Sequence, residues 1–286
     1  MEGFKLKLGE RELIVELKNL AEQANGSVLV RYGDTLILAT CVISKEEKEN
    51  LDFFPLTVDY EERYYAAGKI RGPRYIRRES RPSDEAILVS RLIDRAIRPL
   101  FPENLNREAQ IILTCLSWDT ENDPDVVGLI AASLALSISD IPWPGPIGAV
   151  RIAKVGDEFV VNPTYQQREQ SRLDLVLAGV PSASSGQVGN GKDILINMLE
   201  GGFDESSEET ILAAANFAAP YIKQVCEFQK EISEQIGKPK IILKTIEENL
   251  ELEEEIKYLL KDRLEKSLYQ KDKSERIDEI SRIRNE

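Results

Sequence analysis

From Phe4 to Lys230 the apolar residues fall mostly into short alternating runs, and only three stretches carry helical spacing. A chain patterned this way builds sheets and lays a few helices across them. The alternation covers Phe4 to Leu8, Glu12 to Leu17, Ser27 to Tyr32, Thr35 to Ile43 and Phe53 to Tyr60, with Gly9, Asn25-Gly26 and Gly33-Asp34 as turns. It resumes at Gln110 to Trp118, Ala149 to Lys154, Glu158 to Asn162, Leu173 to Gly179 and Ile194 to Leu199. Helical spacing appears after Pro82-Ser83 as far as Pro99, from Val126 to Ile138, and from Glu208 to Lys230. The order of strands, helix, strand, helix, strands, helix predicts an α+β fold with mixed sheets.

One segment stands apart in charge. Between Lys69 and Arg81 lie Lys69, Arg71, Arg74, Arg77, Arg78 and Arg81 against a single acid, Glu79, in a chain of 286 residues and net charge -13. The helix that follows has Ile87, Leu88, Leu92, Ile93 and Ile97 as an expected buried face and Arg91, Arg95 and Arg98 as a stripe beside it. Planar guanidinium groups fit phosphate oxygens, and Tyr75 among them offers a ring to a base, which points to single-stranded nucleic acid. The same arginines would also serve ion pairs within the chain or between subunits, and residue types alone leave both readings open.

The rest of the composition narrows the chemistry. There is no histidine, which removes Ser-His-Asp and Cys-His arrangements and most transition-metal sites. Chemistry would fall to carboxylates, lysine, tyrosine or an oxygen-ligated metal such as magnesium. Cys41, Cys115 and Cys226 are far apart among apolar neighbours and read as buried thiols. No apolar run approaches a membrane span, and Met1 to Leu8 lacks the apolar core of a signal peptide, so a cytoplasmic protein is expected.

Two motifs compete with plainer readings. Gly186 to Lys192 fits G-x-x-x-x-G-K, but Asp193 replaces the magnesium-holding Ser or Thr and a strand pattern follows, so a hairpin loop is expected instead. Glu121-Asn122-Asp123-Pro124-Asp125 reads as a helix start, with its acids used for capping and no metal site.

The run from Asp59 to Ile70, D-Y-E-E-R-Y-Y-A-A-G-K-I, with R-R-E-S-R-P-S-D at Arg77 to Asp84 and S-R-L-I-D-R-A-I-R-P-L-F-P at Ser90 to Pro102, resembles the first ribonuclease PH-like core of polynucleotide phosphorylases. Further matches are G-S-V-L-V-R-Y-G-D-T at Gly26 to Thr35, E-N-D-P-D at Glu121 to Asp125 and S-I-S-D-I-P-W-P-G-P-I-G-A-V-R at Ser137 to Arg151. The resemblance implies a ribonuclease PH-like β-α-β-α core over residues 1–237 and the start of an all-helical linker over 238–286, where Glu, Lys and Arg dominate. It also implies 3′-to-5′ degradation of single-stranded RNA with inorganic phosphate, Mg2+ in the full enzyme, and a homotrimer with no membrane attachment.

By the same resemblance, the phosphate-binding serines, magnesium-binding aspartates and catalytic lysine belong to a second core. This chain is then expected to hold no catalytic residue and no metal ligand. It would supply RNA binding through Tyr75, Arg77 and Arg78 on the loop and Arg91, Arg95 and Arg98 on the helix. The alternative is a non-catalytic RNA-binding or assembly protein acting as it stands. Two departures from the family stand out: Tyr75-Ile76-Arg77-Arg78 sits where two phenylalanines and two basic residues are usual, and the 181–192 loop precedes Ile196 to Glu200, where a Met-Val-Glu strand is usual.

Overall fold

A computed structural model describes residues 3–18, 20–47, 53–70, 72, 81–182, 194–243 and 250–285. The chain divides into two compact units, Met1–Leu243 and Lys244–Glu286.

In the first unit, β1 (Phe4–Leu8), β2 (Arg11–Glu16), β3 (Gly26–Tyr32), β4 (Thr35–Ile43), β5 (Leu56–Glu61) and β6 (Ala109–Ser117) form a six-stranded sheet of order β1-β2-β3-β4-β6-β5. All neighbours are antiparallel except β5 and β6, which are parallel and joined across helix α1 (Asp84–Ile97). A parallel pair needs such a crossover. A second sheet, fully antiparallel, has the order β10-β9-β7-β8, with β7 at Gly148–Val155, β8 at Glu158–Val161, β9 at Leu173–Pro181 and β10 at Ile194–Phe203.

Helix α2 (Pro124–Ile138) is the centre of this unit. Asp123 caps it, Pro124 opens its first turn, and every residue from Asp125 to Ile138 is buried. A helix apolar on all sides needs cover on all sides. It lies on β3 and β4 and meets β7 and α4 (Glu208–Ile236) on its other flank. Two glycines permit the close approach of helix to sheet. A Cβ on Gly26 would stand 2.3 Å from the carbonyl oxygen of Ala135, and one on Gly148 2.3 Å from that of Ile222.

The residues after α4 return to the end of α2. Lys238 N–H donates to the carbonyl of Ile138, and Lys240 Nζ donates to those of Leu136, Ser137 and Ser139 at 2.7, 3.0 and 2.8 Å. These carbonyls lie at or just beyond the last turn of the helix, past its regular i→i−4 ladder, and a cation suits the negative end of the helix dipole. Burial pulls Lys240 down to about 8, which leaves it charged at neutral pH.

Several expectations need revision. Ile87 and Leu88 are 45% and 62% exposed, not buried. The buried stripe is Ala86, Leu92, Ile93, Ala96 and Ile97, rotated from the expected one because two alanines contribute to it. Strand β5 begins at Leu56 rather than Phe53, after Pro55, and α4 runs on to Ile236 with Pro220 inside it. A short helix α3 (Tyr165–Glu169), started by a Thr164–Gln167 capping box, was not expected. The three cysteines are buried and free, with burial pushing the Cys41 and Cys226 thiols up to about 12.

The second unit consists of α5 (Leu250–Leu268) and α6 (Lys273–Asn285), packed on each other. Asp272 Oδ1 accepts from the N–H groups of Ser274 and Glu275 and so starts α6.

Candidate nucleic-acid interface

Helix α1 is fixed against β5 along its whole length. The Ser83 hydroxyl caps the helix by accepting from Ala86 N–H and donates to Glu62 Oε2, while Ser90 Oγ accepts from Tyr60 N–H at 3.0 Å. At the far end Arg98 grips Asp94 with two hydrogen bonds and donates to the carbonyls of Phe54 and Leu56 at 3.1 and 3.0 Å. Arg98 thus spends its guanidinium inside the chain. These bonds tie the end of the helix to Phe54 and to the start of β5 at Leu56.

With α1 fixed, its outer face presents Ile87, Leu88, Arg91 and Arg95 to solvent. Arg95 makes an ion pair with Glu200 on β10, and its side chain also lies 4.0 Å from the sulfur of Met198. Both partners of that pair are about half exposed, so the pair contributes little and is open to exchange with another anion. Arg91 is exposed beside it. Tyr75, Arg77 and Arg78 lie outside the described residues. Of the described residues on either side of them, Lys69, Ile70 and Arg81 are exposed. Gly186 to Lys192 also lies outside the described residues, but the element that follows is strand β10, not the helix that a phosphate-cradling loop requires.

A second constellation, at the start of α2, is missing from the sequence reading. Arg151 on β7 is only 8% exposed and reaches Asp125 at 2.6 Å, Asp123 at 3.1 Å and Asp174 at 3.3 Å. Arg168 on α3 bridges Asp123 and Asp174, each at 2.6 Å. Asp123 does cap the helix as expected, accepting from Asp125 N–H. Asp125 serves the helix start as well, its Oδ1 accepting from Val126 N–H at 2.6 Å, and its Oδ2 is in addition a buried counter-ion to Arg151. The available signal was Arg151 itself, a charge at a position where the apolar strand Ala149 to Ala153 calls for a buried residue.

Three carboxylates against two guanidiniums leave one negative charge in excess, and burial pushes the Asp125 carboxyl up to about 7 against the opposing pull of Arg151. Because the folded value is raised above the unfolded one of about 3.9, the native state binds more protons across that interval. The contribution is complete below about pH 4 and is lost as pH rises through about 7. Asp125→Asn should therefore flatten the pH dependence of stability within this window. Urea unfolding of both proteins from pH 4 to 8 measures the difference. Parallel curves would contradict it.

These acids do not suit a divalent cation, since each is already bonded to an arginine. Among the described residues no group of three or more His, Cys, Asp or Glu side chains is placed to hold a metal ion. Among them, too, no helix is long and apolar enough to cross a membrane.

Comparison with known proteins agrees with this architecture. Residues 9–142 match the 3′ exoribonuclease family, domain 1, and residues 145–219 match its domain 2. The chain is 46% identical over 281 residues to a polyribonucleotide nucleotidyltransferase of Thermomicrobium roseum, covering 98% of this chain and 34% of that protein. It is 49% identical over 256 residues to the Geobacillus kaustophilus protein of the same name, covering 90% and 34%. With that of Treponema denticola it shares 44% identity over 280 residues, covering 98% and 38%. The chain therefore spans a little over a third of the length of these relatives. Among solved structures, rice Rrp46 superposes with a TM-score of 0.58 over 80% of this chain and 96% of that one, at 14% identity, a likeness of fold alone.

Proposed function

Since the chain belongs to the 3′ exoribonuclease family, we propose that it is the RNA-guiding half of a polyribonucleotide nucleotidyltransferase. The reaction would be 3′-to-5′ phosphorolysis of single-stranded RNA, in which inorganic phosphate releases nucleoside diphosphates. The catalytic groups and any magnesium ligands would lie in a second core, outside this chain. Here Arg91 and Arg95 on the outer face of α1, with Tyr75, Arg77 and Arg78 on the preceding loop, would carry the strand. Arg98 holds α1 in place for them. A cytoplasmic homotrimer, bringing three copies of the arginine loop together, belongs to the same proposal.

The observation that carries this reading is the outer face of α1. Arg91 is exposed there, and Arg95 has only a half-exposed carboxylate to release. The acids of the described core bear on the division of labour. Asp123, Asp125 and Asp174 are engaged by arginines, which leaves them poorly suited to acid chemistry. The test is equilibrium binding of a single-stranded RNA oligonucleotide at several salt concentrations. Binding that weakens linearly on a log-log plot, with a slope of about -0.7 for each phosphate neutralised, is expected. Absence of binding at low salt would refute the proposal.

A further inference from the structure

The ion-pair cluster at the start of α2 borders a small internal cavity, with about 20 Å³ of room for the centre of a water molecule. Its lining includes Val126 and Val127 of α2, Tyr32 of β3, Asn122 just before α2 and Arg151 of β7. Two of these side chains carry a buried polar atom that meets no protein partner among the described residues: Arg151 Nε and Asn122 Oδ1. Their other ends are committed. The terminal nitrogens of Arg151 are held by Asp123, Asp125 and Asp174, and Asn122 Nδ2 donates to Asp119, which fixes the amide with its oxygen at the opposite end.

A buried polar atom left without a partner is costly, so these two define what belongs between them. An occupant has to accept from Arg151 Nε–H and donate to Asn122 Oδ1. A metal or ammonium ion has no lone pair for the arginine, and a halide has no hydrogen for the amide. The room is that of one water-sized molecule. We propose that a single buried water occupies this cavity, accepting from Arg151 Nε and donating to Asn122 Oδ1. Its second hydrogen goes to Tyr32 Oη, whose own hydrogen is spent on the Leu8 carbonyl at 2.9 Å. Three bonds are the usual complement of a water held inside a protein. This water links β3 and the start of α2 in one half of the core to β7 in the other, beside the ion pairs that already join α2 to β7.

The experiment uses the 286-residue chain. A crystal structure should show one ordered water about 2.7–3.2 Å from both Arg151 Nε and Asn122 Oδ1. In solution, oxygen-17 relaxation dispersion counts the waters that stay in a protein longer than it takes to tumble. Val126→Ile and Val127→Ile each add a methylene to the cavity lining, and at least one of them should lower that count by one while urea unfolding stays cooperative. The crystal structure of that variant should show the added methyl where the parent holds the water. A parent crystal with no water at this place would overturn the inference, as would one in which Arg151 Nε bonds a protein acceptor directly. So would an unchanged count in both variants.

Discussion

Replacing Arg151 with methionine should cost about 3–5 kcal/mol of stability, because it breaks a buried network by removing the guanidinium shared by Asp123, Asp125 and Asp174. Asp125 is 4% exposed and its Oδ2 bonds Arg151 at 2.6 Å, so the variant leaves its carboxyl, charged or protonated, without a buried partner at the start of the central helix. Arg168 can still serve Asp123 and Asp174, but it does not contact Asp125. Urea unfolding at pH 7 measures the loss. The double variant Arg151→Met with Asp125→Leu should recover most of it, since a buried ion pair replaced as a unit by apolar side chains is often close to neutral. A single variant costing under about 1 kcal/mol would show that water or another cation reaches the site.

The other large effect falls on ligand binding. Arg77→Ala with Arg78→Ala should weaken single-stranded RNA roughly 25-fold at 0.1 M salt and reduce the magnitude of the salt slope by about 1.4, the contribution of two phosphate contacts. Unfolding should be little changed. If the arginines instead pair within the chain, the double variant loses stability and keeps its RNA affinity. Filter binding beside urea unfolding separates the two. Adding Arg91→Ala should reduce the magnitude of the slope by a further 0.7 or so.

Much of the scaffold was legible because the sequence repeats a small number of local signals. The alternation in Thr35 to Ile43, the turn at Gly33-Asp34 and the Asp123-Pro124 helix start each have one local cause, and each was found in place. The sandwich around α2 follows from its lack of any polar face. What local patterns leave open depends on tertiary partners. Arg98 looks like Arg91 in sequence, yet its fork is taken by two backbone carbonyls and Asp94, and backbone acceptors leave no mark on residue patterns. Ile87 and Leu88 fitted helical spacing as well as Ala86 and Ala96 did. Alanine carries too weak an apolar signal to show which stripe is buried. The second role of Asp125 leaves no local mark, because its counter-ion lies 26 residues away on strand β7. Tyr165–Glu169 is too short to show any period.

Phosphate-dependent release of nucleoside diphosphates from a single-stranded RNA, measured with magnesium on the purified 286-residue chain alongside RNA binding in the same sample, tests the central claim most directly. The account predicts salt-sensitive binding with no turnover. Turnover that survives stringent purification, and that is lost on substitution of a carboxylate in this core, would contradict it.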